Sequence, residues 1–244
     1  MNFSDLPVQI LVISLERSID RRKKVENEMQ KISIPWEFLS AVDGSKLITP
    51  PIEYRAKKVK RLLGHELTPN EIGCYLSHKK AWMRCIEKNI TTLVLEDDFV
   101  MAPNFEEILA TILTKMPQCL FLRLQGLYEV PSTLIETVNG INLVRNKGDA
   151  VGATAYLLAP EVAQKLIDSS SYIYEPVDHF LEHHQKHGLE LLAIRPYPID
   201  ISRVVSTIND RSERMPLIGF PKRVRSIARA WDRLIGADPW FPKG

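Results

Sequence analysis

Residues 91–98 read TTLVLEDD, an apolar, β-branched run that ends in three consecutive carboxylates. Thr91 to Leu95 has the composition of a buried strand, so Glu96, Asp97 and Asp98 stand where that strand emerges. Adjacent carboxylates repel one another, and one or more of their pKa values rise unless positive charge lies among them. A divalent cation meets that need. Magnesium and manganese take hard oxygen ligands, commonly one or two carboxylates plus substrate phosphates. In open α/β sheets, ligands gather beyond the carboxyl ends of the strands. A lone Asp in this place reads as an acidic turn; a cluster of three favours a metal.

Working towards the N-terminus, the pattern predicts a helix, a loop and a strand–helix–strand unit. Thr68-Pro69-Asn70-Glu71 is a helix start: Thr68 caps, Pro69 fits the first helical position and Glu71 completes a capping box. That helix runs to Lys88 and should bury Ile72, Leu76 and Met83. Lys46 to Gly64, rich in Pro, Lys and Arg, reads as a loop with a short helix. Val8 to Leu15 (VQILVISL) is a buried strand, and Ser18 caps a helix with Val25, Met29 and Ile32 on its inner face. Trp36 to Val42 is a second strand, closed by the turn Asp43-Gly44. Strand, helix, strand in this order builds a parallel sheet.

Towards the C-terminus, Phe105 to Leu113 reads as a helix and Cys119 to Leu124 as a buried strand. Asn142 to Arg145 and Thr154 to Leu158 are weaker strands around a turn at Gly148 to Gly152. Pro160 leads into a helix over Glu161 to Asp168. Pro176 opens another through Lys186, ended by Gly188, and Leu189 to Ile194 is a last strand. The expected architecture is one α/β domain over residues 1–210, a mixed, mostly parallel Rossmann-like sheet flanked by helices, followed by a basic tail over 211–244.

Composition bounds the function. The chain has 244 residues, 45% hydrophobic and 25% charged, with a formal net charge of +2, an ordinary globular balance that does not suggest coating of a polyanion. Three cysteines without CxxC spacing argue against a disulfide framework or a zinc site, and free thiols suit a reducing cytosol. Neither a signal peptide nor an apolar run of about 20 residues is evident. Residues 221–235 (PKRVRSIARAWDRLI) are basic and amphipathic, with Trp231 on the apolar side. Such a segment suits docking on anionic lipid, or equally packing as a terminal helix on the domain. A nucleic-acid contact is disfavoured, because no groove-reading motif accompanies the charge.

The motifs VISLERSIDRR at 12–22, FLSAVDG at 38–44, LTPNEIGCYLSH at 67–78 with Trp82, and LVLEDDF at 93–99 resemble glycosyltransferase family 25. GATAYLL at 152–158, PVD at 176–178 and STI at 206–208 continue the resemblance in order. The resemblance implies a GT-A type fold and transfer of a sugar, most often galactose, from a UDP-sugar. In that fold the acidic motif binds a divalent ion (Mn2+ or Mg2+) that bridges the donor diphosphate. By similarity, Asp98 takes the metal, Glu96 the metal or the donor, and Asp97 the ribose or donor sugar. The acceptor so implied is a lipid-linked oligosaccharide, and the enzyme would work in the cytoplasm on the membrane face.

Other residues carry two readings each. Arg17, just past the first strand, can pair bidentately with phosphate, or be a solvated helix-start arginine. Arg21 and Arg22 read as surface residues. Asp43 can bond ribose or uracil, although an Asp-Gly turn needs no function. His78 shares a helix face with Cys74 and Trp82 and can donate to a phosphate; Cys74 reads as packing. Asp178 stands in the first turn of a helix, where the dipole favours its charge and alone suffices to explain it; the resemblance of the PVD piece makes it the candidate base for the acceptor hydroxyl, with Asp149 in reserve. His179, His183, His184 and His187 have i, i+4 spacing without an HExxH pattern, and read as solvated helix residues. Two rivals remain open: another UDP-hexose donor (glucose or an N-acetylhexosamine) in the same fold, and a non-catalytic binding or adhesion module.

Overall fold

The computed structural model describes Phe3, residues 6–116 and residues 121–202. Three strands open the sheet: β1 (Val8–Ser14), β2 (Trp36–Ser40) and β3 (Thr91–Glu96). Both β2 and β3 run parallel to β1. Residues of β1 alternate between two cores. Ile10 and Val12 face one, with Val25, Met29 and Phe105; Leu11 and Ile13 face the other, with Tyr75, Trp82 and Phe180. A strand covered on both faces must be apolar throughout, which is why 8–13 carries so little polarity.

The first core is roofed by α1 (Ile19–Met29) and α4 (Phe105–Lys115). On the other face lie α2 (Ala56–Leu63), α3 (Pro69–Lys88), α5 (Pro160–Ser169) and α6 (Val177–Glu182). The capping box at the start of α3 is formed as expected: the Glu71 N–H donates to Thr68 Oγ1 at 3.2 Å, and the Thr68 N–H to Glu71 Oε2 at 2.9 Å. Met83 departs from expectation. It is 44% exposed, because the buried stripe of α3 runs through Tyr75, His78, Trp82 and Cys85.

Five further strands complete the main sheet: β5 (Phe121–Arg123), β6 (Ser132–Val138), β7 (Ile141–Asn146), β8 (Ala155–Leu158) and β9 (Leu192–Arg195). The order is β2-β1-β3-β8-β5-β9-β7-β6. Beyond the parallel β2-β1-β3 block, only β5-β9 is parallel among the described pairings, and β8 runs antiparallel between β3 and β5. The sheet is therefore mixed and flanked by helices, a GT-A-like arrangement. A separate ribbon pairs β4 (Phe99–Met101) with β10 (Ile199–Ile201).

Two local expectations are corrected. Ser18 sits at the N-cap of α1 but its hydroxyl makes no capping bond. The helix expected from Pro176 through Lys186 is two pieces, α6 and α7 (His184–His187), broken at His183 and ended by Gly188 at φ +70. The sequence segment 203–244, with the predicted amphipathic helix, lies outside the described residues.

Candidate functional site

The β3 strand ends at Glu96, and the next two residues turn away from the sheet. Because β8 pairs with β3 in the register Leu95↔Ala155, Thr154 comes to stand beside Glu96. The Glu96 N–H donates to the Thr154 carbonyl at 2.9 Å, and Thr154 Oγ1 donates to Glu96 Oε2 at 3.1 Å. From α3, His78 Nε2 lies 3.4 Å and Cys74 Sγ 3.5 Å from Glu96 Oε1. Burial pushes the Glu96 carboxyl up, but hydrogen bonds from His78, Thr154 and Cys74 outweigh it and hold the group below its ordinary value.

Behind His78 the order continues inward. Its Nδ1 is 2.8 Å from the Tyr156 hydroxyl, and the Trp82 indole N–H donates to that same oxygen at 2.9 Å. His78 and Tyr156 also stack, with ring centroids 5.7 Å apart. All three rings are buried, so the imidazole has little freedom to turn.

Asp97 and Asp98 are held from the other side. Ser14, the last residue of β1, donates its hydroxyl to Asp97 Oδ2 at 2.7 Å. The Arg21 guanidinium spans the pair, Nη1 to Asp97 Oδ1 at 2.9 Å and Nη2 to Asp98 Oδ2 at 3.0 Å. Arg21 is thus a correction: read from sequence as a surface residue, it points from the first turns of α1 over the carboxyl edge of the sheet and is largely buried. Arg22 is corrected too, its guanidinium lying 4.5 Å over the Phe38 ring and donating to the Ser14 carbonyl at 3.3 Å. One arginine does not balance three acids. Burial raises the Asp98 carboxyl to about 7, with the Glu96 charge adding to the rise and Arg21 opposing it. Asp97 is also raised, by burial, against the Ser14 hydrogen bond and Arg21. Asp98 Oδ1 is buried and accepts no hydrogen bond.

These groups face a cleft of about 130 Å³ lined by β1 and its exit (Ser14, Arg17, Arg21), by Val42 and Gly44, by α3 (Asn70, Cys74, Ser77) and by the three carboxylates. The second wall is built on backbone contact. A Cβ added to Gly44 would lie 2.2 Å from the Pro69 carbonyl oxygen, and one added to Gly73 would lie 2.7 Å from that of Val42. Only glycine allows the 42–46 loop to sit this close to the start of α3, and Ser77 Oγ accepts the Val42 N–H at 2.8 Å. Arg17 lines the cleft mouth and pairs bidentately with Asp43 (2.8 and 3.1 Å). Asp43 also accepts the Ser45 N–H, and the Arg17 guanidinium holds its carboxyl well below the usual range.

The structure brings Arg17, Glu96, Asp97 and Asp98 to one cleft, with His78 against Glu96 and Asp43 at the rim through Arg17. Asp178 is not among the residues lining it; it is buried in the first turn of α6, where Oδ1 accepts the His179 N–H at 3.0 Å. Asp149 is exposed. The histidines of α6–α7 are corrected in part: His183 pairs with Glu175 at 2.7 Å, and His187 is buried. Residues missed at the sequence level are Ser14, Arg21, Thr154 and Tyr156. The last two lie two apart in GATAYLL, and their tie to Glu96 and His78 depends on strand register.

Comparison with known proteins agrees with this geometry. The sequence model of glycosyltransferase family 25 (LPS biosynthesis protein) matches residues 8–181. The chain is 27% identical over 164 residues to the lipooligosaccharide biosynthesis protein lic2B of Haemophilus influenzae, covering 64% of this chain and 60% of that one. It is 29% identical over 186 residues to procollagen galactosyltransferase 2 of Homo sapiens (71% of this chain, 29% of that one). A third relative, 29% identical over 187 residues (71% and 31%), is the probable inactive glycosyltransferase 25 family member 3 of Bos taurus. The matched region thus spans 60% of the bacterial relative and about a third or less of the animal ones. With the match reaching from β1 through α6 and including every residue of the acidic cleft, the chain belongs to glycosyltransferase family 25.

Proposed function

We propose that the protein transfers galactose from UDP-galactose to a lipooligosaccharide or lipopolysaccharide core acceptor, by a metal-assisted inverting displacement. The observation that carries the reading is the partly buried Asp97–Asp98 pair beside Glu96, bridged by Arg21 in a cleft at the carboxyl edge of the sheet. The donor set fits a hard divalent ion. Asp97 and Asp98 offer oxygens only, and Asp98 Oδ1 is buried without a hydrogen-bond donor. Manganese or magnesium held by Asp98 and Glu96 would neutralise charge on the departing diphosphate.

The chain's own groups do the rest. Arg17, exposed at the mouth, offers a guanidinium to the diphosphate. Asp43, on the rim, and Asp97 suit the ribose and donor sugar. His78 is pinned by Tyr156 and Trp82 and keeps Glu96 in place. Asp178, which stands outside the cleft lining, is the proposed base that takes the acceptor hydroxyl proton. The names of lic2B and procollagen galactosyltransferase 2 support the acceptor class and the hexose. We place the enzyme at the cytoplasmic membrane face, with tail 211–244 on anionic lipid.

A metal-titrated UDP-release assay over a panel of UDP-sugars, with and without truncated lipooligosaccharide, tests the reading. Manganese-dependent release should be fastest with UDP-galactose and should vanish in Asp98→Ala at unchanged folding. Faster release from UDP-glucose or a UDP-N-acetylhexosamine would replace the hexose, and unaltered turnover in Asp98→Ala would remove the metal role. Asp178→Asn should lower kcat by about 100-fold or more with donor affinity retained; a normal kcat excludes Asp178 as base. The relationship to a probable inactive family member gives the second reading, a binding module. UDP binding without release for any donor would establish it.

A further inference from the structure

Cys74 joins His78 and Glu96 in a cluster whose thiol the proposed transfer does not use. Cys74 and His78 are one turn apart on α3, and Glu96 closes the triangle from the end of β3. Their ligand atoms (Sγ, Nε2 and a carboxylate oxygen) all lie within 4.8 Å of one another. The His78 Nε2 to Glu96 Oε1 hydrogen bond is long, 3.4 Å against a usual upper bound of about 3.2 Å for N–H···O. Both edges that meet at Glu96 match a coordination tetrahedron. Zinc bonds of ordinary length require an S···O edge of about 3.5 Å and an N···O edge of about 3.3 Å. The corresponding separations are 3.5 Å for Cys74–Glu96 and 3.4 Å for His78–Glu96.

We propose that Cys74, His78 and Glu96 bind a borderline-soft divalent transition metal, zinc by its chemistry, at a site that shares Glu96 alone with the all-oxygen Asp98–Glu96 position proposed for the donor metal. Thiolate and imidazole select zinc over magnesium or manganese. The thiol proton leaves to solvent as the Cys74–metal bond forms. The imidazole is already oriented from behind, as ligating histidines usually are. On metal binding the imidazole proton moves to Nδ1, from which it donates to the Tyr156 oxygen at 2.8 Å, beside the Trp82 N–H at 2.9 Å. That tautomer gives the metal the Nε2 lone pair, in place of the Nε2–H that faces Glu96 in the metal-free protein. Cys74 and Glu96 both line the cleft, so the fourth coordination position opens towards it. The lack of CxxC spacing is no obstacle, because a helix and a strand supply the ligands. Bound there, zinc takes Glu96 from the donor end of the cleft and lowers transfer; this consequence rests on the proposed function, whereas binding does not.

The test uses the full chain, freed of metal by chelation and titrated with Co2+ as a spectroscopic stand-in. A thiolate-to-cobalt charge-transfer band should appear, be bleached by Zn2+ and persist in excess Mg2+. Cys74→Ser should abolish the band and weaken zinc binding by about tenfold or more, while Cys85→Ser/Cys119→Ser retains it. Asp98→Asn should also retain it, which separates this site from the carboxylate pair even if sugar transfer proves metal-independent. No thiolate band in the unsubstituted chain, an undiminished band in Cys74→Ser, or its loss in Asp98→Asn would each overturn the site.

Discussion

Arg21 shows how a single side chain can be misjudged from its neighbours in sequence. In an arginine- and lysine-rich helix start it looks solvated, yet it supplies the guanidinium that spans Asp97 and Asp98. Removing it leaves adjacent buried acids facing one another, and breaking such a pair is costly. Arg21→Ala should lower the metal-free unfolding free energy by on the order of 2 kcal/mol, and the deficit should shrink when Mn2+ and UDP are added. Thermal melts with and without both ligands measure this; equal deficits in the two conditions would deny that Arg21 stands in for the cation. At this scale the sequence was informative where chemistry is local. The three carboxylates after the apolar strand were legible as a cluster, and all three line one cleft. Ser14 and Thr154 were illegible, because their place beside the carboxylates follows from strand pairing over 83 and 58 residues of separation.

Elements were legible where a local signal and burial agree. The capping box at Thr68 predicts the start of α3, and both bonds form. By contrast β6 is exposed over most of its length and has neither alternation nor an apolar run to mark it; it is a strand because β7 pairs with it. The break between α6 and α7 has the same tertiary origin. His183 leaves helical geometry and its Nδ1 bonds to buried Glu175, which Lys186 also reaches at 2.8 Å. Next to it His187 is fixed as a neutral ring, Nε2–H donating to the Phe180 carbonyl and Nδ1 accepting the Leu189 N–H. Burial lowers its pKa to about 4. The unfolded chain therefore binds more protons between about 6.5 and 4, so stability falls as pH drops through that window. The loss amounts to at most about 3 kcal/mol. His187→Gln should flatten this part of the stability–pH profile in urea titrations. An unchanged slope would place the acid sensitivity elsewhere. Glu175, held at about 2, contributes stability above its ordinary pKa that disappears only as pH falls further, towards 2.

For the whole molecule, the α/β class followed from the opening strand–helix–strand unit. The antiparallel insertion of β8 between β3 and β5 did not, since no periodicity encodes strand order. No helix of the described residues is long and apolar enough to cross a membrane. The proposed docking on the acceptor's membrane assigns attachment to the basic tail, which a truncation tests. Truncation after Gly219 removes Lys222, Arg223, Arg225, Arg229 and Arg233. At about 1 kcal/mol per basic residue near an anionic surface, sedimentation with phosphatidylserine vesicles should drop by tenfold or more (about 1.4 kcal/mol per factor of ten) and be salt-sensitive. Identical sedimentation of the two forms would refute the docking role.

The glycine contacts at Gly44 and Gly73 bear on how the cleft can behave. Where main chain rests on main chain there is no rotamer to relax and no gap to close. That wall is therefore preorganised: it would meet the proposed nucleotide in its final shape, and the entropic penalty of docking would fall on the ligand and the long arginines of the cleft.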